Sequence, residues 1–253
     1  MISEEIQKRI VLVHDSFTQL GGAERVVSAF CEMFPDAPLY AIVSDRKILE
    51  AVTTRECKTS YLQQLYLSGL PFKYLLPLLP AATGSLIFPE NSIIISSSSL
   101  FLKGIILPKG AVHIEYIHTP PRFLWTDTEY VKAEVPFLLR PFANIYLRYL
   151  KKWDFAQAQK KITFIANSKE VQNRVKDFYK LDVPVVYPFV DTAFWKPTKA
   201  KSNYFLMGGR LQAHKQYGAI LEAVKNTNIQ LKVIGEGRDA DKLRQQASAN
   251  VEF

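Results

Sequence analysis

Gly21-Gly22 lies between an apolar run and a helical pattern, in the stretch RIVLVHDSFTQLGGAERVVSAF. The N-terminus of a helix has free N–H groups and the positive end of the helix dipole, and therefore binds phosphate well. Glycine lets a ligand approach the backbone without meeting a Cβ. The GxGxxG dinucleotide fingerprint is absent, and a plain tight turn explains the pair equally well. Glu24 is also placed to bond back to the helix start, which is a structural role.

A second stretch, GGRLQAHKQYG at 208–218, has the same position between a strand and a helix. Arg210 and Lys215 flank this turn, and an arginine fork with a lysine charge beside it would bind a diphosphate. The alternative is a pair of solvated cations. Gly235 and Gly237 follow the next predicted strand, and ligands of open α/β sheets sit at the carboxyl ends of strands.

A third stretch, YIHTPPRFLW, places His118 just after a predicted strand and before two prolines that stiffen the loop. Functional groups collect in such loops, although a lone histidine is more often structural.

No metal site is predicted. The D-x-D at Asp239–Asp241 lies at a predicted helix start, and we interpret it as a helix cap. The histidines at 14, 113 and 214 have no ligating spacing.

The elements that must position these groups are apolar runs alternating with helical patterns. Buried strands separated by helices predict an α/β fold whose parallel sheet is covered on both faces. Ser168 is placed to cap the helix that follows the strand ITFIAN. The predicted strands of the first part are RIVLVH, LYAIV, SIIIS, VHIEYI, ITFIAN and VPVVYP at 183–188.

We predict a first domain at 1–190, a linker at 191–202 rich in proline and lysine, and a partial second domain at 203–253. The second part has the pattern βαβαβ, which is half of a doubly wound domain. We expect the chain to be part of a longer protein, or to be completed by a partner.

The chain has 253 residues and only two cysteines, which disfavours a disulfide scaffold. Its formal charge of +8 suits a protein that binds anions. No signal peptide or spanning segment is recognised, so we expect a cytoplasmic protein. The stretch at 138–161 mixes aromatic residues with six cations and predicts contact with the inner face of the plasma membrane. A packed helix with a solvated basic face is the alternative.

Together, GGAER, ANS, YPFVDTAFWKP and GR-x3-K resemble the family 4 glycosyltransferases. SSSSLFLKGI and YIHTPPRFLW resemble more narrowly its bacterial mannosyltransferases of O-antigen and exopolysaccharide assembly. The resemblance implies a GT-B fold, with two Rossmann-like doubly wound domains, the second incomplete here. It also implies a retaining, metal-independent, cofactor-free enzyme that moves a hexose, most readily mannose from GDP-mannose, to a lipid-linked saccharide or polysaccharide precursor.

The resemblance also implies roles for the candidate residues. Gly21 and Gly22 would lie against the donor diphosphate, and Arg210 and Lys215 would neutralise charge on the leaving nucleoside diphosphate. His118 would face the transferred sugar. Gly235 and Gly237 would help to shape the nucleotide pocket.

Members of the family carry a paired-glutamate motif, E-x7-E, further into the second domain, and this chain ends before any such motif. We therefore expect little turnover from the chain alone. A rhamnosyl or other hexosyl donor is the runner-up. The rival functions are a nucleotide-sugar epimerase of the same fold, a non-catalytic partner subunit and a nucleic-acid-binding protein, the last without a recognisable motif.

Overall fold

The computed structural model describes residues 3–127, 135–196, 202–212 and 215–253. The chain divides into two compact units, Met1–Phe189 and Val190–Phe253. Each has its own parallel sheet and its own core.

The sheet of the first unit has six parallel strands in the order β3-β2-β1-β4-β5-β6. The strand order reverses between β1 and β4, and in open α/β sheets the crevice at such a switch point is where ligands bind. The strands are β1 (Ile10–Phe17), β2 (Leu39–Ser44), β3 (Cys57–Thr59), β4 (Ile93–Ser98), β5 (Val112–Ile117) and β6 (Ile162–Ala166).

Helices cover both faces of this sheet. They are α1 (Glu4–Gln7), α2 (Gly22–Met33), α3 (Arg46–Glu50), α4 (Leu62–Leu67), α5 (Phe72–Leu75), α6 (Leu79–Gly84), α7 (Arg122–Trp125), α8 (Arg140–Ala158) and α9 (Lys169–Tyr179). Short 3-10 turns lie at Leu76–Leu78, Leu102–Gly104 and Phe137–Leu139. No helix among the described residues is long and apolar enough to cross a membrane.

The core is divided by the sheet because successive side chains of a strand point to opposite faces. β1 is buried along its whole length, and it continues three residues beyond the predicted end at His14. Val11 and Val13 pack in a cluster with side chains from α4, α5, α6 and α8. Ile10 and Leu12 pack in a second cluster with α2 and α3. Burial of each such side chain contributes roughly 1.5 to 3 kcal/mol.

The local signals at α9 are confirmed. Ser168 lies at the N-cap, and its hydroxyl accepts a hydrogen bond from the Val171 N–H. The helix ends at Lys180, whose left-handed backbone (φ 62°) is typical of a helix C-terminus.

The predicted strand at 183–188 is wrong. Only an isolated parallel bridge between Ala166 and Val185 forms there, with hydrogen bonds from Ala166 N to Pro184 O and from Val186 N to Ala166 O. Pro184 and Pro188 have no N–H to donate, so the ladder cannot extend along this segment.

The second unit has a parallel sheet in the order β7-β8-β9, formed by Phe205–Gly208, Leu231–Ile234 and Val251–Glu252. Two helices, α10 (Tyr217–Val224) and α11 (Ala240–Gln246), connect these strands. Leu221, Leu231, Val233 and Leu243 form the centre of its core. This is the βαβαβ order predicted from the sequence.

A buried carboxylate joins several elements of the first unit. Asp154 of α8 lies 2.9 Å from the Lys103 ammonium, and it accepts hydrogen bonds from Trp125 Nε1 and the Tyr179 hydroxyl at 2.8 and 2.7 Å. Lys103 also donates to the Leu100 carbonyl at 2.7 Å. Because both charges are fully buried, loss of one partner would cost about 3 to 5 kcal/mol.

Glu115 of β5 lies near this ion pair and is fully buried. Neither of its carboxylate oxygens has a hydrogen-bond partner among the described residues. Burial raises its pKa from 4.5 to about 8, and the charges of Asp15 and Asp154 act in the same direction against that of Lys103. The side chain is therefore mostly protonated at neutral pH.

We predict that Glu115→Gln removes a pH dependence of stability. The raised pKa means that the wild-type protein is destabilised as the pH rises from about 4.5 to about 8, by an amount on the order of 3 to 5 kcal/mol. Glutamine mimics the protonated acid at every pH. Urea unfolding of both proteins at pH 5 and pH 9 should show the variant more stable at pH 9 only. An equal difference at both values would contradict the assignment.

Candidate active site

His14 is buried in the carboxyl half of β1, where it links the neighbouring strand β4 to helix α2. Its Nδ1 donates to the Ser97 carbonyl at 2.9 Å, so the ring proton on that nitrogen is fixed by an acceptor-only partner. Its Nε2 lies 3.5 Å from the Glu24 carboxylate. From the sequence, His14 was weighed only as a possible metal ligand, and its link between β4 and α2 was missed.

Helix α2 begins at Gly22, with Gly21 in extended backbone at the N-cap and no side chain capping the helix. Glu24 is buried beside this start. Burial alone would raise its pKa, but the hydrogen bond and charge of His14, with the N–H groups of Glu24 and Gly21, hold the pKa below its usual value. The charge of Glu24 is thus stabilised in part by the helix start, which is in keeping with the structural alternative considered for it.

The same helix start retains open space beside its backbone. A Cβ added at Gly22 would meet no atom within 4 Å. The first turn of α2 therefore combines a carboxylate held on the inner side with an accessible backbone at Gly22. Whether a phosphate binds there stays a prediction.

Asp15 fixes the loop that follows β4. Its carboxylate accepts hydrogen bonds from the Ser98 hydroxyl at 3.1 Å and from the backbone N–H groups of Ser99 and Leu100. Burial raises the pKa of Asp15, and His14 and these hydrogen bonds oppose the rise. Ser96, Ser97 and Ser98 form the buried end of β4, and Ser99 follows it.

His118 follows β5 directly, at the carboxyl edge predicted for it. Its backbone N–H donates to the Ser98 carbonyl at 2.8 Å, and its Nε2 lies 2.7 Å from the Ser97 hydroxyl. Burial, with a smaller contribution from His14, lowers its pKa to about 4. His118 is therefore a neutral imidazole at pH 7 and acts as a hydrogen-bonding group.

Glu24 and His118, both singled out in the sequence, thus lie at one edge of the sheet of the first unit. Glu24, His14, Ser97 and His118 form a chain of contacts that runs from the start of α2 to the end of β5. The signals for the missed members are His14-Asp15 and the serines at 96–98, because each group ends an apolar run.

In the second unit, the backbone after β7 continues to form hydrogen bonds with the backbone after β8, beyond the ends of both strands. Gly209 N donates to Ile234 O at 3.0 Å, and Leu211 N donates to Glu236 O at 2.9 Å. A Cβ at Gly235 would lie 1.9 Å from the Gly209 carbonyl oxygen, and one at Gly237 would lie 2.3 Å from that of Leu211. Both glycines are required by this close backbone packing.

Arg210 and Lys215 lie in the segment that connects β7 to α10, on either side of residues 213–214, which are outside the described residues. Arg210 is half-buried and Lys215 is exposed. The backbone N–H of Lys215 donates to the Gln212 carbonyl at 2.9 Å, so this end of the turn is ordered by its own hydrogen bond. His214, also noted in the sequence, lies outside the described residues.

The interpretation of Asp239 as a capping side chain is wrong. Asp239 occupies the N-cap position of α11, but its side chain makes no capping hydrogen bond, and its buried Oδ2 has no partner among the described residues. The backbone is held instead by a hydrogen bond from Asp239 N to Leu211 O at 3.1 Å. No three His, Cys, Asp or Glu side chains in the described ranges form a metal-binding group.

We predict that Gly235→Ala destabilises the second unit. The backbone at Gly235 has φ +149°, which L-residues rarely adopt, and the new methyl would collide with the Gly209 carbonyl. The expected loss is about 1 to 3 kcal/mol or more. Gly218→Ala in α10 is the matched control, because its methyl would meet only ordinary contact at 3.9 Å and alanine favours a helix. Equal urea midpoints for the two variants would contradict the packing argument.

Comparison with protein-family models gives no match for this chain, and comparison with curated protein sequences gives no significant match. Solved structures do resemble it. The apo form of the lipopolysaccharide outer core galactosyltransferase WaaB is 16% identical, with a TM-score of 0.51 over 94% of this chain and 63% of WaaB.

The Anabaena protein HepE, solved in complex with UDP, is 15% identical, with a TM-score of 0.59 over 97% of this chain and 68% of HepE. Its complex with UDP and glucose gives 16% and 0.57 over the same shares. The chain thus spans about two thirds of the length of these proteins. The likeness shows that it has the GT-B fold of parallel-sheet, Rossmann-like domains.

Proposed function

We propose that this protein is a glycosyltransferase that takes a hexose from a nucleoside diphosphate sugar. The observation that carries the proposal is that Arg210 and Lys215 both lie in the segment connecting β7 to α10 of a GT-B fold, with Lys215 two residues before the helix begins. A diphosphate leaving group gains negative charge as the glycosidic bond breaks. Fixed cations placed where that charge develops are usually the largest single contribution to catalysis.

HepE, a protein of the same fold, was solved with UDP and with UDP and glucose. This supports a nucleotide sugar as the class of donor. The stretches shared with the mannosyltransferase branch favour GDP-mannose, with retention of the anomeric configuration. The choice between guanine and uracil is left to the binding experiment below.

His118 is the proposed contact to the transferred sugar. A neutral imidazole held by the Ser97 hydroxyl has one fixed orientation and offers a hydrogen bond to a sugar hydroxyl. Since its pKa lies near 4, this property would persist across the range from pH 6 to pH 8. Gly21 and Gly22 stay predicted phosphate contacts.

We also propose a lipid-linked acceptor and peripheral contact with an anionic membrane on the inner face of the plasma membrane. Leu138, in the 3-10 turn before α8, and Phe142, Ile145 and Tyr149 of α8 recur at helical spacing and are 60 to 81% exposed. We call these four residues the apolar stripe. Arg148, Lys151 and Lys152 lie exposed on the same helix. An exposed apolar stripe beside cations suits the interface of an anionic bilayer.

We predict that Lys215→Gln weakens binding of the donor nucleotide. A charge-assisted hydrogen bond contributes about 1.5 to 3 kcal/mol, so the dissociation constant should rise roughly tenfold or more. Lys225→Gln, at the other end of α10, is the matched control. Calorimetry with GDP and UDP would measure both the effect and the base preference.

Two results would contradict the donor proposal. One is the absence of binding by either nucleotide to the wild-type chain. The other is an equal affinity of the Lys215 and Lys225 variants. Tight binding of mixed-sequence DNA or RNA in a gel-shift experiment, without nucleotide binding, would favour the rival nucleic-acid function.

The membrane proposal predicts that Phe142→Ser combined with Ile145→Ser reduces sedimentation with vesicles that contain phosphatidylglycerol. Two exposed apolar anchors would be lost, and a decrease of about tenfold in the partition coefficient is expected. Met33→Ser is the control, because Met33 is 61% exposed on α2, which packs on the opposite face of the sheet. Equal sedimentation of wild type and variant, at every content of anionic lipid, would contradict the proposal.

A further inference from the structure

An apolar groove of about 480 Å³ runs between α8 and the segment of α5 and its following 3-10 turn. Its walls include Tyr74, Pro77, Phe142, Ala143 and Tyr146. The hydroxyl of Tyr146, which would otherwise make the wall polar, donates to the Pro77 carbonyl. The groove therefore presents carbon along almost its whole length.

A second pocket of about 350 Å³ adjoins this groove, because Phe123 and Leu147 line both. Its character is different, since Asn144, Arg148 and Lys151 contribute polar and positively charged groups. The carboxylate of Asp127 lies in the same lining and opposes part of this charge. We call it the polar pocket.

Lys151 is held in place within the polar pocket. Its ammonium lies 4.5 Å from the centre of the Trp125 ring, and the Trp125 indole N–H is itself bound to Asp154 in the core. A cation over an aromatic face is oriented by the ring. Lys151 is thus positioned by Trp125, which the buried Asp154 carboxylate holds in turn.

An apolar groove that shares two wall residues with a pocket carrying two cations has, together with that pocket, the polarity of a single amphiphile. We infer that the two cavities together bind one phosphate-headed lipid, with a hydrocarbon chain in the groove and the phosphate beside Arg148 and Lys151. The identification of this lipid as the acceptor rests on the proposed function. The charge complementarity of the polar pocket is what selects an anionic lipid over a neutral apolar ligand.

The entrance to the groove lies on the surface proposed to face the membrane. Phe142 belongs both to the wall of the groove and to the apolar stripe, and 72% of it is exposed. A lipid chain could pass from the bilayer into the groove along this residue without crossing water. The apolar stripe would thus admit a lipid chain to the groove, in addition to holding the protein on the membrane.

The inference is tested by binding of farnesyl phosphate and of farnesol, each below its aggregation concentration, measured by equilibrium dialysis with the intact chain. Ala143→Phe fills the half-buried wall of the groove and should weaken both ligands at least tenfold. Arg148→Gln with Lys151→Gln should weaken farnesyl phosphate about tenfold and leave farnesol within twofold. The matched controls are Ala51→Phe and Lys47→Gln, at exposed positions in and just after α3, on the other face of the sheet.

Leu139→Glu is a second groove variant, at an exposed position that tolerates a polar side chain in folding. It should also weaken farnesyl phosphate at least tenfold. Saturable binding near one equivalent, lost in the groove variants and kept in the controls, would support the inference. Absence of binding by the wild-type chain would overturn it, and so would equal binding by wild type and both groove variants.

These results are independent of the donor proposal. Binding of farnesyl phosphate without binding of GDP or UDP would leave the lipid site standing and remove the glycosyltransferase assignment. Nucleotide binding without binding of farnesyl phosphate would remove the lipid site and leave the glycosyltransferase assignment standing.

Discussion

All six strands of the first unit run parallel, so their carboxyl ends share one edge, and the reversal of strand order opens a crevice there between β1 and β4. The sequence fills this edge with polar side chains that water cannot reach. His14, Asp15 and Ser97 must therefore satisfy one another or neighbouring backbone groups, and the observed hydrogen bonds do this. The position of His118 follows from the same constraint, because its backbone and side chain both bond to the end of β4.

A second buried interaction sets the outer surface of the same unit. Asp154 gathers Lys103, Trp125 and Tyr179 around one carboxylate, and each partner comes from a different element. With that side of α8 fixed against the core, the opposite side must present Phe142 and its apolar neighbours outward. The contacts of Asp154 thus account for the apolar stripe, the apolar groove and the placement of Lys151 over Trp125.

The sequence predicted those parts of the fold that depend on local patterns. Strand β1 begins with an apolar run, Ile10–Val13, and α9 has a serine cap and helical spacing, so both elements were predicted. The segment at 183–188 has the composition of a strand, but Pro184 and Pro188 cannot donate to a ladder, and a single bridge forms. The cap expected at Asp239 failed because a backbone hydrogen bond to the adjacent turn holds that residue instead.

The candidate site was predictable only where its residues follow a strand directly. The position of His118 at the carboxyl edge of the sheet was predicted in this way, because His118 comes directly after β5. The partners of His14 were missed because contacts such as that with Ser97, 83 residues away in sequence, leave no periodic signal. The role of Gly235 has a similar origin, since only the structure shows that the Gly209 carbonyl occupies the space of its missing Cβ.

The central claim is that the turn between β7 and α10 holds the diphosphate of a nucleotide sugar. A crystal structure of the chain with bound GDP-mannose, or with bound UDP-glucose if calorimetry favours uracil, tests this claim most directly. The account predicts phosphate oxygens within about 3 Å of the Arg210 guanidinium and the Lys215 ammonium, the distance of a charge-assisted hydrogen bond. A nucleotide bound elsewhere on the chain, with both cations remote from its phosphates, would contradict it.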